Sequence, residues 1–154
     1  MPDRDKLQAM FVARFHVGDP PVPATEQQVE SLGVELSTAV PEAYLSFITR
    51  FGAVYTPHIL DAIVDAALDY SDVQNFLTVE QAITDTKAYW AAGMPEDVIG
   101  IASDCMGNFF GFRRQGAKSD DAPVVFFDHD FVDVSTVADS FDAFLTWYVE
   151  NIGT

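Results

Sequence analysis

Val98-Ile99-Gly100-Ile101-Ala102, followed by Ser103-Asp104-Cys105-Met106-Gly107-Asn108 and then Phe109-Phe110-Gly111-Phe112-Arg113-Arg114, sets the architecture of this chain. The first five residues are a short apolar run that fits a buried strand. Met106-Gly107-Asn108 reads as a tight turn, with Gly107 and Asn108 as the residues able to take positive φ. Phe109 to Arg114 reads as the returning strand. Two strands joined this closely pair antiparallel.

Upstream of this pair the apolar period is helical. Leu7, Met10, Phe11 and Phe15 predict an N-terminal helix from Arg4 to Phe15, ended by the linker Gly18-Asp19-Pro20-Pro21-Val22-Pro23. Thr25 is placed as the N-cap of a helix through Val29 and Leu32 that stops at Gly33. Pro41 opens the next helix, with Tyr44, Leu45, Phe47, Ile48 and Phe51 on its apolar face and Gly52 as its left-handed end. From Ile59 to Tyr70, the residues Leu60, Ile63, Val64, Ala67 and Leu68 predict another helix, with a strand beginning near His58 as the alternative. Thr78 caps a helix that ends at Gly93 and buries Val79, Ala82, Ile83 and Tyr89. Downstream, Pro123 to Asp128 carries Val-Val-Phe-Phe, the strongest strand signal in the chain. Ser140 then caps a closing helix with Phe141, Phe144, Leu145, Tyr148 and Val149. The expectation is one α+β domain over residues 1–154, an antiparallel sheet with helices before and after it. Residues 1–24 form its N-terminal helix and linker.

Composition limits the function classes. Apolar residues make up 49% of the 154, enough for one substantial core. Eight Lys and Arg face twenty-four Asp and Glu, a net charge of −16. No Lys or Arg lies between Arg50 and Lys87, and none follows Lys118. Such a surface repels nucleic acid and anionic membrane and attracts basic partners, although acidity also serves solubility alone. Cys105 is the single cysteine, so no internal disulfide forms. Residues Met1 to Val17 lack the apolar core of a signal peptide, and no stretch approaches the roughly 20 apolar residues of a membrane span. The default compartment is the cytoplasm.

No catalytic residue, metal ligand set or cofactor is assigned. Ser103-Asp104-Cys105 places two nucleophiles beside a carboxylate, but neither Asp104 nor Met106 can stabilise a thiolate. In Asp128-His129-Asp130, with Asp133 beyond, a continuing strand would point His129 away from the two acids. The cluster Gly107 and Gly111 lacks the spacing of a dinucleotide or phosphate loop. Arg113, Arg114 and Lys118 are local and partly cancelled by Asp120 and Asp121. A small metal-dependent hydrolase using Asp104, Asp128, His129 and Asp130 is the alternative from a different class.

One charge pattern stands out. Asp61, Asp65 and Asp69 recur every fourth residue and Asp72 follows, with no Lys or Arg nearby. On a helix they would stack on one face, at about 0.2–0.5 kcal/mol of repulsion per pair. The simpler reading is a solvated helix face, the functional one an anionic docking ridge. Asp128, Asp130 and Asp133 make a second acidic cluster. Both are candidate partner-binding groups.

A resemblance joins these pieces. Met94-Pro95-Glu96-Asp97-Val98-Ile99-Gly100-Ile101-Ala102-Ser103-Asp104, followed by Gly107-Asn108, resembles the central signature of the SUKH superfamily. Val40-Pro41-Glu42-Ala43-Tyr44-Leu45-Ser46-Phe47, ending at Gly52, is similar to its "Pro, two residues, Tyr, two residues, Phe" helix. Val125-Phe126-Phe127-Asp128-His129-Asp130 and Ser140-Phe141-Asp142-Ala143-Phe144-Leu145 resemble its strand, acidic-His turn and closing helix. The similarity spans roughly residues 25 to 150 and is poorest between Tyr55 and Gly93, and the family's frequent Gly-Gly after the second helix is Gly52-Ala53 here. It implies an α+β domain without catalytic residues, acting as an immunity protein. Such a protein binds and neutralises a cognate toxin encoded beside it, often a nuclease or other nucleic-acid-modifying enzyme. A regulatory scaffold of cell-wall assembly or signalling is the related alternative.

Overall fold

The free amides of a helix's first turn need acceptors, and at four helix starts the preceding residue supplies one. Asp3 and Ser140 accept from amides of the turns they open, while Thr25 with Gln28 and Thr78 with Gln81 form reciprocal capping boxes. The computed structural model describes residues 3–152. Its helices are α1 (Arg4–Phe15), α2 (Glu26–Glu35), α3 (Glu42–Arg50), α4 (Ile59–Asp65), α5 (Val79–Ala91) and α6 (Phe141–Asn151). Among the described residues no helix is long and apolar enough to cross a membrane.

Five strands, β1 (Asn75–Phe76), β2 (Val98–Ser103), β3 (Phe109–Arg113), β4 (Val124–Asp128) and β5 (Asp133–Ala138), pair antiparallel in sequence order. The expected α+β class, an antiparallel sheet with helices before and after it, is the observed one. Both faces of the sheet are covered. Phe109 stacks on Tyr89 of α5 at 3.9 Å between centroids, whereas its neighbour Phe110 packs on Phe144 of α6 at 5.2 Å. Successive strand residues point to opposite faces, so α5 and α6 lie on opposite sides. That explains why Val98 to Ala102 is buried throughout and reads as a continuous apolar run. Helix α1 is part of the core: fully buried Phe11 meets the rings of Phe15, Phe47, Phe76 and Tyr148.

Several expectations are corrected, and two strands stand where none was expected. Helix α2 does not stop at Gly33 but continues to Glu35, and Ser37 takes the left-handed position at φ +54°. The chain then folds back so closely that a Cβ on Gly33 would lie 2.9 Å from the Thr38 carbonyl oxygen. Helix α4 ends at Asp65 instead of reaching Tyr70. Ala67 sits at φ +52° and donates to the Val64 carbonyl, and Leu68 donates to that of Ile63, the hydrogen bonds of a helix C-terminus that usually carries glycine. Val64, expected on the buried face, is largely exposed. Between β2 and β3 only Gly107 has positive φ, at +82°; Asn108 does not. Finally, β5 carries too little apolar alternation to be read from sequence, and β1 is two residues long, held by its pairing with Ala102 and Ser103.

Candidate partner-binding surface

Chain reversal after β2 leaves amides facing inward, and Asp104 collects them. Its Oδ1 accepts from the amides of Met106 at 2.8 Å and Asn108 at 2.9 Å, and its Oδ2 accepts from Asn108 Nδ2 at 3.0 Å. The other end of the Asn108 amide serves the β4–β5 turn. Its Oδ1 accepts from the His129 amide at 3.0 Å and lies 2.6 Å from His129 Nδ1, which therefore carries the proton. Tyr89 of α5 donates to the Gly107 carbonyl at 2.7 Å. Asp104, Asn108 and His129 thus lock two hairpin turns together at one end of the sheet. These groups satisfy one another, and a chemical role is not needed to explain them.

Cys105 is exposed beside this lock. Partial desolvation and the nearby carboxylates of Asp72 and Asp104 push its thiol pKa up, so the nucleophilic thiolate is disfavoured. Asp72 is not on an acidic ridge at all. It lies beyond the end of α4, buried, and its Oδ2 has no hydrogen-bond partner. Burial first, then Asp104, raises its pKa. A carboxyl with a raised folded pKa penalises folding above that pKa, and the penalty disappears below the unfolded value of about 4. Asp72→Asn should therefore melt a few degrees higher than the parent at pH 7, with the gain vanishing below about pH 4. A gain that persists or grows in acid would contradict this assignment.

The remaining acidic candidates divide into two groups. Asp61 and Asp65 are exposed on α4, and Asp69 is exposed in the segment after it. In the other group, Asp130 and Asp133 are exposed while Asp128 is half-buried, its Oδ1 accepting from the amides of Asp130 at 2.9 Å and Phe131 at 3.3 Å. Here the strand stops at Asp128 and does not continue, so His129 Nε2 comes to 3.3 Å from Asp130 instead of pointing away. The two groups lie towards opposite ends of edge strand β5. Asp133 begins it, and Tyr70, next to Asp69, donates to the Val137 carbonyl near its end. The described Arg and Lys residues form their ion pairs elsewhere: Arg4 with Asp120 and Asp142, Arg50 with Asp5, Lys87 with Glu35, and Arg113 with Asp97. Neither acidic group is neutralised by them.

Sequence reasoning misses one feature. Phe131 and Val132 sit between the acids of the second group, 82% and 55% exposed. Two large apolar residues inside the run Asp128-His129-Asp130-Phe131-Val132-Asp133 were the available signal.

Comparison with known proteins agrees with this architecture. The SMI1/KNR4 family (SUKH-1) matches residues 23–147, which takes in α2 through most of α6 and leaves out α1. No curated protein matches the sequence.

Proposed function

Because the chain belongs to the SMI1/KNR4 family (SUKH-1), we propose that it works by binding another protein, a cognate toxin whose basic surface it covers. The observation that carries this reading is the set of exposed acidic side chains without Lys or Arg partners, Asp61, Asp65 and Asp69 in one group and Asp130 and Asp133 in the other. They belong to a chain of net charge −16. An enzyme acting on nucleic acid must present cations to phosphates. An anionic protein is drawn to the same cations and can exclude the substrate. Asp72, being buried, takes no part in this surface.

Catalysis has no role in this account. Cys105→Ala and His129→Ala should leave affinity for the toxin within a few-fold of the parent, and a thousand-fold loss in a folded variant would contradict it. The direct test is co-expression with the toxin domain encoded beside the gene. Growth should be arrested by the toxin alone and restored by this chain, with the two proteins co-eluting at fixed stoichiometry. Growth arrest that this chain does not relieve, with no complex formed, would sink the proposal and favour a regulatory scaffold.

A further inference from the structure

We propose that Phe131, held out on the β4–β5 turn, is the apolar anchor of the binding surface and enters an apolar socket ringed by Lys and Arg on a basic protein. This rests on the reading above and assigns its energetic centre. Phe131 is 82% exposed, whereas the chain buries most of its other phenylalanines. Its neighbour Val132 has φ +52°, a conformation strongly disfavoured for a β-branched residue. Strain of this type persists only where surrounding contacts impose it, and here they are identifiable. Asp128 holds the amides of Asp130 and Phe131, Asn108 holds the His129 amide, and Val132 faces Gly93 at the end of α5. An exposed aromatic on a turn pinned at both ends loses little freedom on binding, which is the property of an interface hot spot.

The rim identifies the occupant. Asp128, Asp130 and Asp133 surround the apolar pair, and the Lys and Arg residues that form ion pairs, Arg4, Arg50, Lys87 and Arg113, do so with other acids. A second copy of this chain would bring the same carboxylates against them, so self-association through this turn is opposed by like charge. A partner with cations around an apolar socket satisfies both parts of the surface.

The test compares Phe131→Ser, Phe131→Leu and Val132→Gly with the parent. Phe131→Ser removes an exposed side chain and should leave the melting temperature unchanged. Val132→Gly should melt no lower than the parent, because glycine accepts this φ without strain. Against the toxin domain encoded beside the gene, Phe131→Ser should dissociate at least about 30-fold faster with a nearly unchanged association rate. Phe131→Leu should lose less than about 10-fold. Equal dissociation rates for parent and Phe131→Ser overturn the anchor while leaving toxin binding intact.

A second arm does not depend on that toxin. Peptides selected from a random phage-displayed library on the immobilised parent should combine Lys or Arg with a large apolar residue, and lose binding on Phe131→Ser. Selected peptides indifferent to this substitution overturn the proposal even if the toxin itself fails to bind. Sedimentation equilibrium closes the remaining route. A dimer of the parent that Phe131→Ser dissociates would assign the turn to a second copy and reject the basic partner.

Discussion

Gly111→Ala should melt about 10 °C below the parent, or fail to accumulate as folded protein at 37 °C. Gly111 lies in β3 between Gly100 of β2 and Val125 of β4. The β2–β3 register slips between Gly100 and Ala102, and this bulge draws the β2 backbone across Gly111. A Cβ there would run into the Ile99 carbonyl group, with the Gly100 Cα only 3.2 Å away. Those obstacles are backbone, so no rotamer change relieves them, and both neighbouring strands are fixed by their own pairing. Overpacking costs about 1–3 kcal/mol where side chains can yield and more where the main chain must. At roughly 2–4 °C per kcal/mol for a chain of this size, about 3 kcal/mol gives the stated shift. Gly116 has no atom within 4 Å of an added Cβ, so Gly116→Ala is the control and should leave the melting temperature near the parent's. A Gly111→Ala protein melting within 3 °C of the parent would mean that the bulge is misplaced.

Phe11→Ala should cost about 3–5 kcal/mol, the usual range for truncating a fully buried phenylalanine. The residue belongs to α1, outside the region matched by the family, yet its ring contacts rings from α1, α3, β1 and α6. Removing it opens a cavity where four elements meet, and these rigid aromatic walls cannot readily collapse to fill it. Arg4, at the start of the same helix, bridges Asp120 and Asp142. These exposed and half-exposed pairs are screened by solvent and orient α1 more than they stabilise it. The expected fall in melting temperature is about 10–15 °C. A fall of under 2 °C would show α1 to be a dispensable appendage. Phe11→Leu, which keeps most of the volume, should lose much less.

These two residues show what the sequence reveals and what it hides. The spacing of Leu7, Met10, Phe11 and Phe15 predicts α1, and Leu7, Phe11 and Phe15 lie on its buried face, whereas Met10 is exposed. Val98 to Ala102 was legible as a strand because both its faces are buried. Helix α4 is shorter than its apolar spacing predicts because its end is made by Ala67 in a conformation normally marked by glycine. Neither hydrophobic period nor composition records that hydrogen bonding. The early end of α4 also divides the acidic surface: Asp61 and Asp65 share α4, Asp69 follows it, and Asp72 turns inward towards Asp104 and Cys105. Asn108 reads as a turn residue because Asn tolerates positive φ. Its actual role, bonding Asp104 on one side and His129, 21 residues further along the chain, on the other, depends on a register that only the folded sheet defines. Edge strand β5 stayed hidden for a related reason. Its residues are mostly exposed or half-exposed, so burial leaves little pattern in them.

Partner binding through charge is the centre of the account, and the association rate tests it most directly. The rate should be measured for the parent and for Asp65→Asn/Asp69→Asn against the proposed cognate toxin domain, at low salt and near 1 M. Both residues are exposed and without Lys or Arg partners, so their removal should leave circular dichroism and melting temperature close to the parent's, or raise the latter slightly. Steering acts at long range and is screened as the Debye length falls from about 10 Å at 0.1 M salt to about 3 Å at 1 M. The account predicts that the double variant associates roughly three- to thirty-fold more slowly at low salt and that the difference narrows near 1 M. Parent and variant rates that coincide at low salt, or an association rate indifferent to salt, would contradict it.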